Sequence, residues 1–291
     1  MKYLKYLVSI VIVLFFAIVT TVCGILPVDS PSQAIASSAP SPLGNDGQTE
    51  LIVFAAASMT ETLQEISVLY AKAEPDVKLI FNFDSSGTLK TQIQEGAECD
   101  LFISAGQRQM DQLDIMAPDT VNTEKLDFVL RATRTDLLEN RVTLVVPKGN
   151  PKNINSFSDM SNALSNGKIL MAMGNSDVPV GQYTQRIFTY YKLDEKALAA
   201  SGSLSYGSNV KEVTTQVAEA SVDCGVIYCT DAFSAKLEIV DYATAEMCGR
   251  VVYPAAVLKT SKNPEVAHAF LNYLTSDEAM SVFKNVGFSK P

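Results

Sequence analysis

From residue 50 onward, short apolar runs alternate with stretches whose apolar residues recur every three or four positions. Residues 51–56 form a continuous apolar run, as in a strand covered on both faces. Residues 60–71 follow with Leu63, Ile66, Leu69 and Tyr70 at helical spacing, and Pro75 stops them. Residues 77–83 read as the next strand and 87–95 as the next helix. Residues 100–104 give a third strand, and 107–113 begin another helix. A strand over 141–147 is stopped by Pro147 and Gly149, and 168–172 is a further strand. Pro179 suits the first turn of a helix running to about Tyr191. Ser208-Asn209 precedes a helix over 210–220, with Asn209 or Ser208 as cap. Residues 224–228 and 250–258 read as strands, and 264–274 and 277–285 as a closing pair of helices. No internal repeat is visible. This β-α alternation predicts the α/β class, built on doubly wound sheets.

The first 48 residues have a different character. Residues 1–27 read as a signal peptide, with Lys2 and Lys5 as its charged start and an apolar run over 7–22. A retained membrane anchor is the competing reading, because the run approaches the length that spans a bilayer. Cys23-Gly24 directly follows the run and is similar to a bacterial lipobox, which implies a lipid on Cys23. Val22 departs from that pattern, which has Gly or Ala there. Ordinary cleavage, after Ala34-Ile-Ala36, is the alternative. Residues 28–48 are rich in Pro, Ser, Ala and Gly and poor in large apolar residues, so they read as a flexible tether. The remaining 240 or so residues suffice for a large core in one or two lobes.

The net charge is −9, and −11 once Lys2 and Lys5 are removed with the leader. That balance argues against nucleic acid, which calls for a basic patch. It also means that any bound anion must be held by local donors against the overall field. Besides Cys23 there are Cys99, Cys224, Cys229 and Cys248. Export permits disulfides, but the sequence does not give a pairing. Cys224 and Cys229 flank a strand-like Gly-Val-Ile-Tyr, which would hold them too far apart to bond. Buried free thiols are therefore expected. No CxxC spacing exists for zinc or redox chemistry.

Two junctions carry the candidate chemistry. The first strand runs into Ser58, and the second runs through Asp84-Ser85 into Ser86. A helix N-terminus offers unpaired N–H donors and a partial positive charge. Two such ends fronted by serines suit an oxyanion without any basic side chain. Either serine taken alone is an ordinary helix cap, and Asp84 is capable of capping the same helix as Ser86. As a ligand to a dianion Asp84 would be repulsive, so it reads as structural or turned away. His268 reads as a surface residue of a C-terminal helix.

Eight segments occur in order along residues 49–291. They are Val53-Phe-Ala-Ala-Ala-Ser-Met-Thr60, Phe83-Asp-Ser-Ser-Gly-Thr-Leu89, Cys99-Asp-Leu-Phe-Ile-Ser-Ala105 and Val178-Pro-Val-Gly-Gln-Tyr183. Ser208-Asn-Val210, Gly225-Val-Ile-Tyr-Cys-Thr-Asp-Ala232, Tyr253-Pro-Ala-Ala-Val257 and the stretch 283–288 complete them. Each is weak alone; together they make the chain resemble the periplasmic molybdate-binding proteins of ABC transporters. The resemblance implies the type II periplasmic-binding-protein fold, two doubly wound α/β lobes joined by a two-crossing hinge. Residues 49–141 with 250–291 would form lobe 1, and 142–249 lobe 2. The crossings fall near residues 140–143 and within 240–252.

The resemblance also implies a ligand set. The two family serines fall on Ser58 and Ser86, the two backbone N–H donors on Val180 and Val210, and the tyrosine hydroxyl on Tyr228. Val180 stands where the family has alanine, and Cys229 where glycine is common. Molybdate at neutral pH is a dianion that only accepts hydrogen bonds. These residues would offer it about seven donors, charge-assisted bonds being worth ~1.5–3 kcal/mol each. The implied function is an extracytoplasmic binding protein, a monomer, that delivers molybdate, and tungstate with it, to an ABC permease and its ATPase. It would use no cofactor, no direct protein–metal ligand and no catalytic residue. The alternative is a binder of another tetrahedral oxyanion such as sulfate. A remoter alternative is a serine acyl-transfer enzyme, since Ser208-Asn-Val-Lys211 matches SxxK. The Ser-Asp-Asn element that should accompany that motif is missing, and no cysteine has a basic neighbour to activate it.

Overall fold

The computed structural model describes residues 47–291. The signal peptide, Cys23 and the tether up to residue 46 lie outside the described residues. Gln48, at the end of the expected tether, already belongs to the fold: its side-chain amide donates to the Pro75 carbonyl at 2.7 Å. Thr49 N–H donates to the Asp76 carbonyl at 2.7 Å.

Chain order in the first part is β1 (Thr49–Ala56), α1 (Thr60–Ala73), β2 (Val77–Asp84), α2 (Ser86–Gln94), β3 (Leu101–Ile103), α3 (Gln107–Asp111) and β4 (Thr135–Asn140). Next come β5 (Val142–Val146), α4 (Phe157–Ser165), β6 (Met171–Gly174), α5 (Pro179–Tyr191), α6 (Glu195–Ala200) and β7 (Leu204–Gly207). Then follow α7 (Val210–Ala218), β8 (Cys224–Tyr228), α8 (Cys229–Ala235), β9 (Glu238–Tyr242) and α9 (Ala245–Cys248). The chain closes with β10 (Val251–Val257), α10 (Pro264–Tyr273) and α11 (Asp277–Asn285).

The strands form two five-stranded sheets, ordered β2-β1-β3-β10-β4 and β7-β6-β8-β5-β9. In the first, β1 is parallel to β2 and β3, while β10 is antiparallel to β3 and β4. In the second, β6 is parallel to β7 and β8, while β5 is antiparallel to β8 and β9. The chain crosses between sheets at Arg141, the one residue separating β4 from β5, and returns between β9 and β10.

The central strands of each sheet are buried on both faces, which is why they read as unbroken apolar runs. Leu51, Val53 and Ala55 of β1 are fully buried, and every residue of β8 and β10 is buried. Leu63, Ile66 and Tyr70 of α1 face the same core. The Tyr70 ring packs on Phe270 and Tyr273 of α10, at 4.8 and 4.9 Å between centroids. The C-terminal helices thus return to the first sheet.

Several elements carry weak patterns. Edge strands β4 and β9 are interleaved with Asp, Glu and Asn, because each has only one neighbouring strand. The strand expected over 168–172 begins later, at Met171. Lys168 N–H is still bonded to the Ala163 carbonyl of the preceding helix, and Gly167 takes φ +61° to end that helix. Cys99, Cys224, Cys229 and Cys248 are all free and buried. Among the described residues, no helix is long and apolar enough to cross a membrane.

Candidate functional site

Three helix N-termini and the turn after β1 meet at one point between the two sheets. A small cavity there is lined by Ser58, Ser86, Val180, Val210 and Tyr228, all five residues that the sequence reading singled out. No Lys, Arg or His lines it.

Each donor is aimed by local chemistry. Ser86 is the first residue of α2, so its N–H has no acceptor within the helix. Its buried hydroxyl accepts the Ala105 N–H at 2.9 Å, which leaves the hydroxyl proton to donate elsewhere. The cap of α2 is the neighbouring Ser85, whose hydroxyl accepts the Thr88 N–H at 3.1 Å. Two adjacent serines therefore divide two tasks. Val180 and Val210 occupy the second turn position of α5 and the first of α7, where backbone N–H groups also lack helical acceptors. Pro179 has no N–H, so the first free donor of α5 is Val180. Asn209 caps α7 through Glu212 N–H at 3.1 Å.

Ser58 departs from the expected helix start. It sits in a 3-10 turn over Ala57–Met59 that precedes α1, with no side-chain cap. Its hydroxyl instead lies 2.8 Å from the Tyr253 hydroxyl. Asn140 Nδ2 donates to that same tyrosine oxygen at 3.2 Å. When Tyr253 donates its proton to Ser58, the Ser58 proton is left for a ligand. Tyr253 and Asn140 were not legible as site residues. Tyr253 lies in a motif segment, but nothing in the sequence pairs it with a serine 195 positions away.

Tyr228 ends β8 and is 1% exposed. Burial, reinforced by Tyr253 and Tyr183 nearby, pushes its phenol well above the ordinary value, so it remains a protonated donor. Its hydroxyl is 3.5 Å from the Ala105 carbonyl, across the cleft. The valine at 180 is accommodated with its side chain fully buried. The Cys229 thiol reaches past the cavity to the Asn140 side-chain oxygen at 3.2 Å, beside the first crossing.

Asp84 lines the cavity rather than turning away from it. Its Oδ1 is occupied by the Ser85 N–H at 2.7 Å and approached by Asn209 Nδ2 at 3.4 Å from the opposite side. Glycine permits the cleft to shut this far. A Cβ on Gly87 would sit 2.2 Å from the Asp177 carbonyl oxygen on the opposite wall.

Charged groups stand just outside. Asp231 is fully buried in the first turn of α8, and burial pushes its carboxyl up to about 6 despite Lys211 beside it. A folded value above the unfolded one favours folding most at low pH, and that contribution is lost as pH rises through about 6. Ser208 donates to Glu212 at 2.8 Å, and Lys211 is held by Glu61 and Asp231. Those partners raise the Lys211 ammonium above its ordinary value, the wrong direction for a general base. His268 is exposed on α10.

With this geometry in place, known proteins give a context. A family model for bacterial extracellular solute-binding proteins matches residues 51–289. The chain is 35% identical over 254 residues to a Bacillus subtilis protein described as an ABC transporter substrate-binding lipoprotein, covering 87% of this chain and 91% of that one. It is 33% identical over 244 residues to a molybdate-binding protein of Haemophilus influenzae, covering 82% and 90%. In structure it is similar to the periplasmic molybdate-binding protein of Azotobacter vinelandii, with TM-score 0.69 at 22% identity, covering 83% of this chain and 99% of that one.

Proposed function

The chain belongs to the bacterial extracellular solute-binding proteins, and from that premise we propose that it captures molybdate, with tungstate, for an ABC importer. The observation that carries this reading is the donor set. Neutral hydroxyl and backbone donors from both sheets line one small cavity that contains no basic side chain. Such a site holds a fully deprotonated tetrahedral dianion, whose oxygens only accept. A protonated anion would turn an O–H toward a donor and leave it unpaired. The H. influenzae relative, a molybdate-binding protein by name, supports the choice of oxyanion.

Delivery to a membrane permease and its ATPase follows from the same reading. So does attachment through a lipid on Cys23, which the lipoprotein relative supports. The protein acts as a binder rather than a catalyst: Ser208 and Lys211 are both engaged with carboxylates. Tungstate nearly matches molybdate in size and charge, so these donors treat the two alike.

Titration calorimetry with molybdate, tungstate and sulfate tests the assignment. Tight binding of the first two and weak binding of sulfate is expected. Sulfate binding as tightly as molybdate would reassign the site to the smaller oxyanion. The support of Ser58 is tested by Tyr253→Phe, which removes the hydroxyl that orients it. Affinity should fall about 3- to 10-fold, in line with one hydrogen bond of about 1 kcal/mol. An unchanged dissociation constant would mean that Ser58 needs no such support.

A further inference from the structure

Lys211 is placed against the usual rule. It is the second residue of α7, where the helix dipole disfavours a cation. It directly follows Val210, which lines the cavity. Its ammonium lies 2.8 and 2.9 Å from the two Glu61 oxygens and 3.2 Å from Asp231 Oδ1.

These two partners differ in kind. Asp231 belongs to α8, which packs beside α7 around the second sheet. It is fully buried, and neither of its oxygens receives a hydrogen bond. Lys211 is its close counter-charge, and both stay on the same side of the cleft whatever the cleft does. Removing the lysine would strand a buried carboxylate. Glu61 belongs to α1 on the first sheet, three residues beyond Ser58. It reaches Lys211 only across the closed cleft.

We propose that the Glu61–Lys211 pair is a latch, made on closure, that slows ligand release. Asp231 is the fixed anchor that keeps the ammonium aimed at the opposite wall. The latch is tied to the ligand by sequence neighbours on both sides, Ser58 on one and Val210 on the other. Shutting the cavity and forming the ion pair are therefore one movement. The pair is partly exposed, with Lys211 at 31% and Glu61 at 49%, so its effect is modest. This inference rests on the binding function proposed above and adds its control.

The test is Glu61→Gln, studied by stopped-flow binding and release of molybdate on the exported protein. Release should speed up about 2- to 5-fold, the range of a partly exposed pair, with the change concentrated in the off-rate. The difference should shrink at high salt. The melting temperature without ligand should stay put, because open protein lacks the pair; a merely structural role would lower it. Lys211→Met is made together with Asp231→Asn, so that no carboxylate is stranded. That double variant should release as fast as Glu61→Gln, and adding Glu61→Gln to it should change nothing further. An unchanged off-rate in Glu61→Gln, or additive effects, would overturn the latch. If the wild type prefers sulfate, the same ratio is read with sulfate. Failure of the ligand assignment and failure of the latch then appear in separate measurements.

Discussion

Gly87→Ala should remove tight binding while leaving the fold intact. A Cβ at this position would lie 2.2 Å from the Asp177 carbonyl oxygen, 3.0 Å from its carbon and 3.1 Å from Asp177 Cβ. Two of those atoms are backbone, so no side-chain rotation relieves the clash. Asp177 lies just before α5, on the opposite wall of the cleft, so the only escape is incomplete closure. Val180, Val210 and Tyr228 would then stand back from a ligand held by Ser58 and Ser86. Losing even two charge-assisted bonds of ~1.5–3 kcal/mol each implies a drop of about 100-fold or more. The helix itself gains, because alanine is better than glycine inside a helix by about 1 kcal/mol. Melting without ligand should therefore be unchanged or higher, while calorimetry shows the loss. Affinity within a few-fold of wild type would mean that the cleft does not need this approach.

The second large effect is expected from Ser86→Ala. On the proposed reading it deletes one donor to the ligand, and it strips the buried Ala105 N–H of its acceptor. Affinity should fall by about 1–3 kcal/mol, roughly 5- to 150-fold. Ser85→Ala is the matched contrast. It removes the cap of α2 and should cost about 1 kcal/mol of stability with little effect on affinity. Thermal melts with and without molybdate separate the two, since ligand stabilisation follows affinity. Equal binding by both variants would remove the Ser86 hydroxyl from the site.

The adjacent serines show where sequence reading stops. Asp-Ser-Ser-Gly announces a helix start in either register, and only the Ala105 and Thr88 N–H groups tell the two hydroxyls apart. Ser58 shows the opposite case. The family motif placed it in the site, yet its local conformation is a 3-10 turn, because the tie to Tyr253 replaces the cap. Asp84, read as structural or turned away, lines the cavity with its Oδ1 in a structural role, held by Ser85 N–H.

Apolar periodicity determined the alternation of strands and helices, since burial on two faces or along one stripe leaves its period in the chain. Ordered short motifs picked out the five residues that line the cavity, because each sits at a strand end or a helix start that its own neighbours build. What only tertiary structure decided joins residues far apart in sequence. Tyr253 and Asn140 orient Ser58, Asp177 makes Gly87 indispensable, and Glu61 and Asp231 occupy Lys211. None of these leaves a local signal, because each contact exists only when two separately built walls come together.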